Sequence, residues 1–177
     1  MSGKNIRPTA DRVRESIFNI LPHDLADLSV LDLYAGAGAM GLEALSRHAK
    51  AAVFVDSAHE AIKLMRDNVD TIGLRDQARL MHKKAGAALK LLSAEGRAFD
   101  LVFLDPPYAS GEADKALALI AALGLLNPRA VVVAEHAAGR ELAPGYGPLT
   151  RFDHRVYGDT AVSFYRVPDP PEPEADP

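Results

Sequence analysis

Asp105, Pro106, Pro107 and Tyr108 follow directly on the apolar run DLVFL at 100–104, and their types and order suit one kind of chemistry. Each proline fixes its own φ and disfavours helical geometry in the residue before it, so the chain leaves the run extended and stiff. A stiff segment holds a carboxylate and a carbonyl at set positions. An exocyclic amine on a nucleobase is a poor nucleophile, because its lone pair is delocalised into the ring. Hydrogen bonds from that NH2 group to the Asp105 carboxylate and the Pro106 carbonyl favour a more tetrahedral, more nucleophilic nitrogen as positive charge develops on it. The proton can leave after methyl transfer, so neither a metal nor a poised histidine is required. Tyr108 would stack on the flat base, a contact worth about 1–3 kcal/mol, and a base inside a helix would first have to be flipped out. The plainer reading of the same residues is a Pro-Pro stop to a buried strand, with Asp105 capping the next turn and Tyr108 filling a gap.

Gly36, Gly38 and Gly41 make a second constellation, G-x-G-x-x-G, placed straight after the run SVLDLYA at 29–35. Glycines there let backbone approach a ligand closely where a Cβ would obstruct it. The spacing alone fits a nicotinamide dinucleotide, a flavin or S-adenosylmethionine, and equally a tight turn that binds nothing. Asp56 lies 20 residues after Gly36, at the end of the next apolar run. A carboxylate there can accept hydrogen bonds from both ribose hydroxyls of either cofactor class. Asp32 narrows the choice: four residues before Gly36, its charge is unwelcome beside a pyrophosphate but favourable beside an ammonium and a sulfonium. Its alternative role is a strand-end acid capping backbone N–H groups of the loop.

The elements that must position these residues follow from hydrophobic period. Val13, Ile17, Ile20 and Leu21 predict a helix over 11–21, capped by Thr9 or Asp11. Strand-helix alternation then follows, with strands at 29–35, 51–55, 78–81, 100–104 and 130–134 and helices at 40–49, 58–72, 87–94 and 112–123. The helix over 58–72 puts Ile62, Met65, Val69 and Ile72 on one face and has Gly73 as its C-cap. Beyond Thr150, RFDHRVY and TAVSFYRV flank Gly158-Asp159 as a hairpin. Such alternation predicts an α/β fold, with a parallel sheet, helices on both faces and an antiparallel hairpin at one edge. Ligands bind beyond the carboxyl ends of such strands, near the topological switch point. A single domain is expected over 1–167, with an N-terminal arm and helix at 1–21.

Composition removes other classes. The chain has 177 residues without a cysteine, which excludes disulfides, thiolate zinc sites and a cysteine nucleophile. The histidines at 23, 48, 59, 82, 136 and 154 show no metal-ligand spacing, so no metal is expected. Glu135-His136, after the fifth strand, could face the cleft, the ordinary alternative being a solvated strand end. No apolar run approaches the roughly 20 residues that cross a bilayer, and no secretory apolar core opens the chain, so a cytoplasmic domain is expected. There are 24 acids and 20 bases, but four of those acids lie in the tail at 168–177, which holds five prolines and no base. That tail is expected to be disordered, and without it the charge balances at 20 against 20. A strongly basic nucleic-acid footprint is therefore absent. Bases are nonetheless concentrated near the start, at Lys4, Arg7, Arg12 and Arg14 against Asp11 and Glu15.

RPTADRVRESIFNIL (7–21), VLDLYAGAGAMGLEALSR (30–47), FVD (54–56), LVFLDPPY (101–108) and YGDTAVSFYR (157–166) occur together and in order. Over nearly the whole length up to about residue 167, the chain resembles the bacterial 16S rRNA (guanine-N2)-methyltransferases, a branch of the Rossmann-like class I fold that uses S-adenosylmethionine. The resemblance implies a mostly parallel seven-stranded sheet, S-adenosyl-L-methionine as cofactor, and methylation of one guanine N2 in small-subunit ribosomal RNA or the assembling small subunit. It further implies a monomer that needs neither membrane nor metal. Carried over by position, cofactor contacts fall to Asp32, Tyr34, Gly36, Gly38, Gly41, Asp56 and Ala85, and catalytic contacts to Asp105, Pro106, Pro107 and Tyr108. Arg7, Arg12 and Arg14 would lie over the active site and meet RNA phosphate or the cofactor carboxylate; otherwise they are surface arginines of an amphipathic helix.

Two departures from the family pattern carry consequences. Family members usually begin with an additional Arg- and Gly-rich β-hairpin, whereas six residues precede Arg7 here; a trimmed or misplaced start that binds cofactor yet methylates poorly is one expectation. Lys84 stands where many relatives carry an Asp or Asn that receives the adenine amino group. A lysine cannot accept that hydrogen bond, so adenine contact would rest on the backbone at Ala85 or on a shifted register. The competing readings are the same chemistry on adenine N6 or cytosine N4 of DNA or another RNA, a dinucleotide-dependent oxidoreductase, and a non-catalytic cofactor- or RNA-binding module.

Overall fold

Val30, Leu31, Leu33, Val53, Phe54 and Val55 are all buried, so the strands they form point apolar side chains to both sides and must be covered on both faces. The computed structural model, which describes residues 8–108 and 111–169, builds that cover from five helices. The elements run α1 (Pro8–Ile20), β1 (Ser29–Leu33), α2 (Ala39–Ser46), β2 (Ala51–Asp56), α3 (His59–Thr71), β3 (Ala78–His82), α4 (Ala85–Ala94) and β4 (Phe99–Leu104). They continue with α5 (Glu112–Ala122), β5 (Leu126–Ala137), β6 (Gly145–Tyr146), β7 (Leu149–Tyr157) and β8 (Thr160–Arg166). Arg7 and the tail beyond Asp169 lie outside the described residues; Asp169 itself is ion-paired to Arg129.

The strands form one sheet in the order β3-β2-β1-β4-β5-β8-β7-β6. Pairing is parallel from β3 through β5 and antiparallel from β5 onward. Strand order reverses between β1 and β4, which makes that crevice the switch point. Alternation along each strand sorts the core into two layers. Leu31, Leu33, Val102 and Leu104 pack with α4 and α5. Val30, Leu101, Phe103 and Val133 pack with Val13, Ile17 and Phe18 of α1 and with residues of α2 and α3.

Several boundaries differ from the sequence expectation. The sheet has eight strands rather than seven, because the two residues of β6 add to the outer edge of β7. Helix α1 begins at Pro8, so Asp11 sits in its first turn, where an acid favours the helix dipole, and does not cap it. Ile72 is the C-cap of α3 and is 51% exposed, while Ile62, Met65 and Val69 form the buried face. Gly73 follows at φ +72, the left-handed conformation expected just past a helix end. Strand β5 starts four residues before the predicted run, where a register shift opposite Phe99 and Arg129 at φ +64 accommodate Pro128.

Gly41 has a role in packing that is legible only in three dimensions. A Cβ built there would lie 2.3 Å from Cε1 and 2.8 Å from Cζ of Phe54, a fully buried ring of β2. The third glycine of the loop therefore lets α2 lie close on the sheet. Gly41→Ala should lower the melting temperature by about 2–12 °C, the effect of roughly 1–3 kcal/mol of overpacking in a chain of this size. Thermal unfolding checks this, and an unchanged midpoint would mean that the helix and strand are not in that contact.

Candidate active site

Sheet register brings the chemical residues together. On β1, Asp32 shares a face with Val30; on β4, Asp105 continues the face of Leu101 and Phe103; on β5, Glu135 continues that of Val131 and Val133. All three therefore project toward the α1 side of the sheet at its carboxyl end. Leu33 pairs with Leu104, and Leu104 with Ala134, so the residues following them, Asp105 and Glu135, stand on neighbouring strands about 4.8 Å apart.

The glycine loop is held from several sides. Ala35 N–H donates to Val55 O at 3.0 Å and Gly38 N–H to Ala35 O at 2.8 Å. Gly36 N–H donates to Asp56 Oδ2 at 2.9 Å, Gly41 N–H donates to Asp32 Oδ2 at 2.9 Å, and Asn68 Nδ2 donates to Ala37 O at 3.0 Å. Gly36 and Gly38 have φ +55 and +82, which a β-branched residue adopts only with strain. No atom lies within 4 Å of a Cβ built on Gly36, so this backbone borders open space. Tyr34, at φ +61, turns the chain out of β1, and its hydroxyl donates to Glu112 Oε2 at 3.4 Å. Asp56 also accepts from Ala58 N–H at 2.8 Å, leaving about two of the four acceptor positions of a carboxylate for a ligand.

Asp32 is 3% exposed and, in the contact observed, caps the third residue of α2 from the strand. Burial pushes its carboxyl up to about 7; the Gly41 N–H opposes this, and the charges of Asp105 and Asp56 add to it. Asp105 is exposed at the carboxyl end of β4. The walls around it nevertheless desolvate the carboxyl, and together with the nearby Glu135 charge they push it up to about 7. Tyr108 is 44% exposed. Its hydroxyl donates to Glu135 Oε1 at 2.9 Å and lies 2.8 Å from Thr160 Oγ1. A phenol has one proton, so Thr160 is the donor in that second contact.

Two cavities meet at this segment. One, of about 650 Å³, is lined by Tyr34, Asp56, Lys84, Ala85, Pro107 and Glu112 among others. The other, of about 950 Å³, includes Arg12, Ser16, Asn19, Tyr108, Glu135 and Thr160. Successive residues of the Asp-Pro-Pro-Tyr segment thus face different chambers. Helix α1 roofs the larger one and is tied to β7 by a hydrogen bond between Ser16 and Tyr157.

The expected site residues divide accordingly. Tyr34, Asp56 and Ala85 join Pro107 around the smaller cavity, and Gly36 borders open space. Gly41 instead serves packing and the Asp32 contact. Arg12 lines the larger cavity, whereas Arg14 is ion-paired to Asp11 at 3.3 Å and is not among its lining residues. Lys84 precedes α4 as its extended N-cap residue and is exposed at the smaller cavity. Of the two readings of Glu135-His136, Glu135 takes the cleft: it is half-buried, lines the larger cavity and is bonded to Tyr108. The signal lay in register, one residue past an apolar run on the strand beside β4. His136 is 3% exposed, bonded to Ser163 and stacked on His154 at 5.7 Å, on the opposite face of the sheet. Among the described residues no group of three or more His, Asp or Glu is arranged to hold a metal ion.

Comparison with known proteins extends over the same residues. The model of the family described as Conserved hypothetical protein 95 matches residues 1–166. The Bacillus subtilis (strain 168) protein YlbH is 36% identical over 166 residues, covering 94% of this chain and 90% of its own length. The Ribosomal RNA small subunit methyltransferase D of Escherichia coli (strain K12) is 32% identical over 173 residues, covering 97% of this chain and 84% of its own. Among solved structures, a conserved hypothetical protein from Streptococcus pyogenes superposes with a TM-score of 0.81 at 33% identity, covering 86% of this chain and 94% of that one.

Proposed function

The chain belongs to the Conserved hypothetical protein 95 family, and on that footing we propose that it transfers a methyl group from S-adenosyl-L-methionine to the exocyclic N2 of a guanine in small-subunit ribosomal RNA. The observation that carries this reading is the junction of the two cavities at Asp105–Tyr108: Pro107 faces the one beside the glycine loop, and Tyr108 faces the one under α1. A relative that is 32% identical is named as a small-subunit ribosomal RNA methyltransferase, which supports RNA as the acceptor.

The residues around the smaller cavity fit the cofactor. Its volume of about 650 Å³ lies in the range of small-molecule sites. Gly36 leaves backbone accessible where a side chain would intrude. Asp56 has acceptor capacity for ribose hydroxyls, and Ala85 presents backbone where Lys84 cannot accept from adenine. Asp32 and Asp56 place negative charge near the loop, which suits a ligand with an ammonium and a sulfonium. When bound, S-adenosylmethionine supplies an electrophilic methyl group on sulfur. The chain's own residues supply the rest: Asp105 and the Pro106 carbonyl accept the two N2–H groups of the base, and Tyr108 holds the ring by stacking. As the new C–N bond forms, these acceptors stabilise the positive charge on nitrogen. The proton then leaves to restore a neutral amine.

The electrostatics of Asp32 give a first test. Its folded pKa of about 7 stands above the ordinary 3.8. A group raised in this way favours the fold while protonated; that contribution is present below about pH 4 and is lost as pH rises to about 7. Asn keeps the side-chain acceptor for Gly41 N–H without a charge. Asp32→Asn should therefore raise the melting temperature of the ligand-free protein by several degrees at pH 8, do little at pH 4, and weaken cofactor binding. Thermal scans at the two pH values measure it; an equal shift at both would show that the Asp32 charge is not buried at a cost.

The acceptor class is tested by offering tritium-labelled S-adenosylmethionine with unmodified small ribosomal subunits, their naked RNA, or duplex DNA. Incorporation into subunits or their RNA supports the proposal, and incorporation into DNA alone would replace it. A contact of Arg12 with phosphate would make RNA affinity fall with rising salt, by about one power of salt concentration.

A further inference from the structure

We propose that Glu135 is the residue that selects guanine, by accepting the N1–H of the base whose N2 is held at Asp105. This inference rests on the guanine-N2 reading above and deepens it.

The placement follows from the sheet. Glu135 on β5 and Asp105 just past β4 each follow the paired residues Ala134 and Leu104, and strand alternation sends both to the same face of the sheet. Glu135 lines the larger cavity, and the Asp105 carboxylate stands beside it on the neighbouring strand, close enough for the Glu135 charge to act on it, so the two form a pair of adjacent acceptors. Guanine alone among the four bases presents adjacent donors at N1 and N2 on its pairing edge; adenine and cytosine each present an amine beside a ring nitrogen that accepts. A carboxylate beside N1 therefore attracts guanine and repels the lone pair of the other two.

The hydrogen bonds leave Glu135 able to do this. Thr160 donates to the Tyr108 hydroxyl, and that hydroxyl donates to Oε1 of Glu135 at 2.9 Å. The chain fixes the carboxylate at the rim of the ring on which the base would stack. The hydrogen bond from Tyr108 engages Oε1, which leaves Oε2 to accept from the base. The alternative is that Glu135 serves only to orient Tyr108, and that role predicts different kinetics.

The experiment uses RNA carrying the methylated site with either guanine or 2-aminopurine at the target position. 2-Aminopurine keeps the reactive N2 amine but replaces the N1–H with an acceptor. Single-turnover rates are measured with saturating labelled S-adenosylmethionine. The wild type is expected to prefer guanine by at least about 100-fold, in line with sites that reject a missing hydrogen-bonding group. Glu135→Gln, whose amide can donate to N1, should slow the guanine reaction and narrow that preference to about tenfold or less. Thr160→Val, which loosens Tyr108 without touching the pairing edge, should slow both substrates by the same factor. If Glu135→Gln slows both substrates equally and leaves the preference intact, Glu135 only positions Tyr108 and the inference falls alone. If the wild type methylates no guanine, the guanine-N2 reading falls and takes this one with it.

Discussion

Replacing Asp105 with Ala should reduce methyl transfer by about 100- to 1,000-fold, the usual cost of deleting one preorganised partner of transition-state charge, while cofactor affinity stays within a few-fold. The separation arises because Asp105 is exposed and is not among the residues around the smaller cavity, which include Asp56, Ala85 and Pro107. Asp105→Asn keeps a carbonyl acceptor in place and should retain more activity than Asp105→Ala. The pH profile supplies a second readout. Burial and the Glu135 charge push the Asp105 carboxyl up to about 7, and the ionised form is the better acceptor for N2–H. Turnover at saturating cofactor should therefore rise with pH through about 7 in the wild type, and Asp105→Asn should lose that rise. Cofactor affinity that collapses in Asp105→Ala would contradict this division of labour.

Replacing Gly36 with Val should weaken cofactor binding by more than about 100-fold, through two costs that act together. Gly36 has φ +55, which a β-branched side chain adopts only with strain, and its missing Cβ opens onto space that no protein atom fills within 4 Å. The new isopropyl group would occupy the ligand side of the loop. It would also disturb the Gly36 N–H to Asp56 contact of 2.9 Å, and with it the carboxylate assigned to the ribose. Titration calorimetry on folded variant protein measures the loss. Affinity retained at the wild-type level would move the cofactor away from this loop.

Most of the fold was legible because its strands are buried on both faces and separated by helices of clear period. Asp32, Asp56 and Asp105 all fall at or near strand ends, where position relative to an apolar run is easily read. What stayed open or hidden in the sequence depends on three-dimensional neighbours. Glu135 matters because β5 pairs with β4 in a register that sets it beside Asp105, and register between distant strands has no local signature. Gly41 resembles its two companions in sequence, yet its constraint is the Phe54 ring of the next strand. Residues two apart on a helix point about 200° apart, which separates Arg14, paired with Asp11, from Arg12 in the cavity. Strand β6 exists only as an edge partner of β7, and the early part of β5 is anchored by Asn127 on Asp100 at 3.0 Å, a contact between residues 27 apart.

The most direct measurement is the identity of the methylated nucleoside. Unmodified small-subunit RNA, free or partly assembled, would be incubated with the protein and labelled S-adenosylmethionine, digested to nucleosides, and mapped to sequence. The expected product is N2-methylguanosine at a single site; label on adenine N6 or cytosine N4 would contradict the account and show that the Asp105–Tyr108 segment serves a different base.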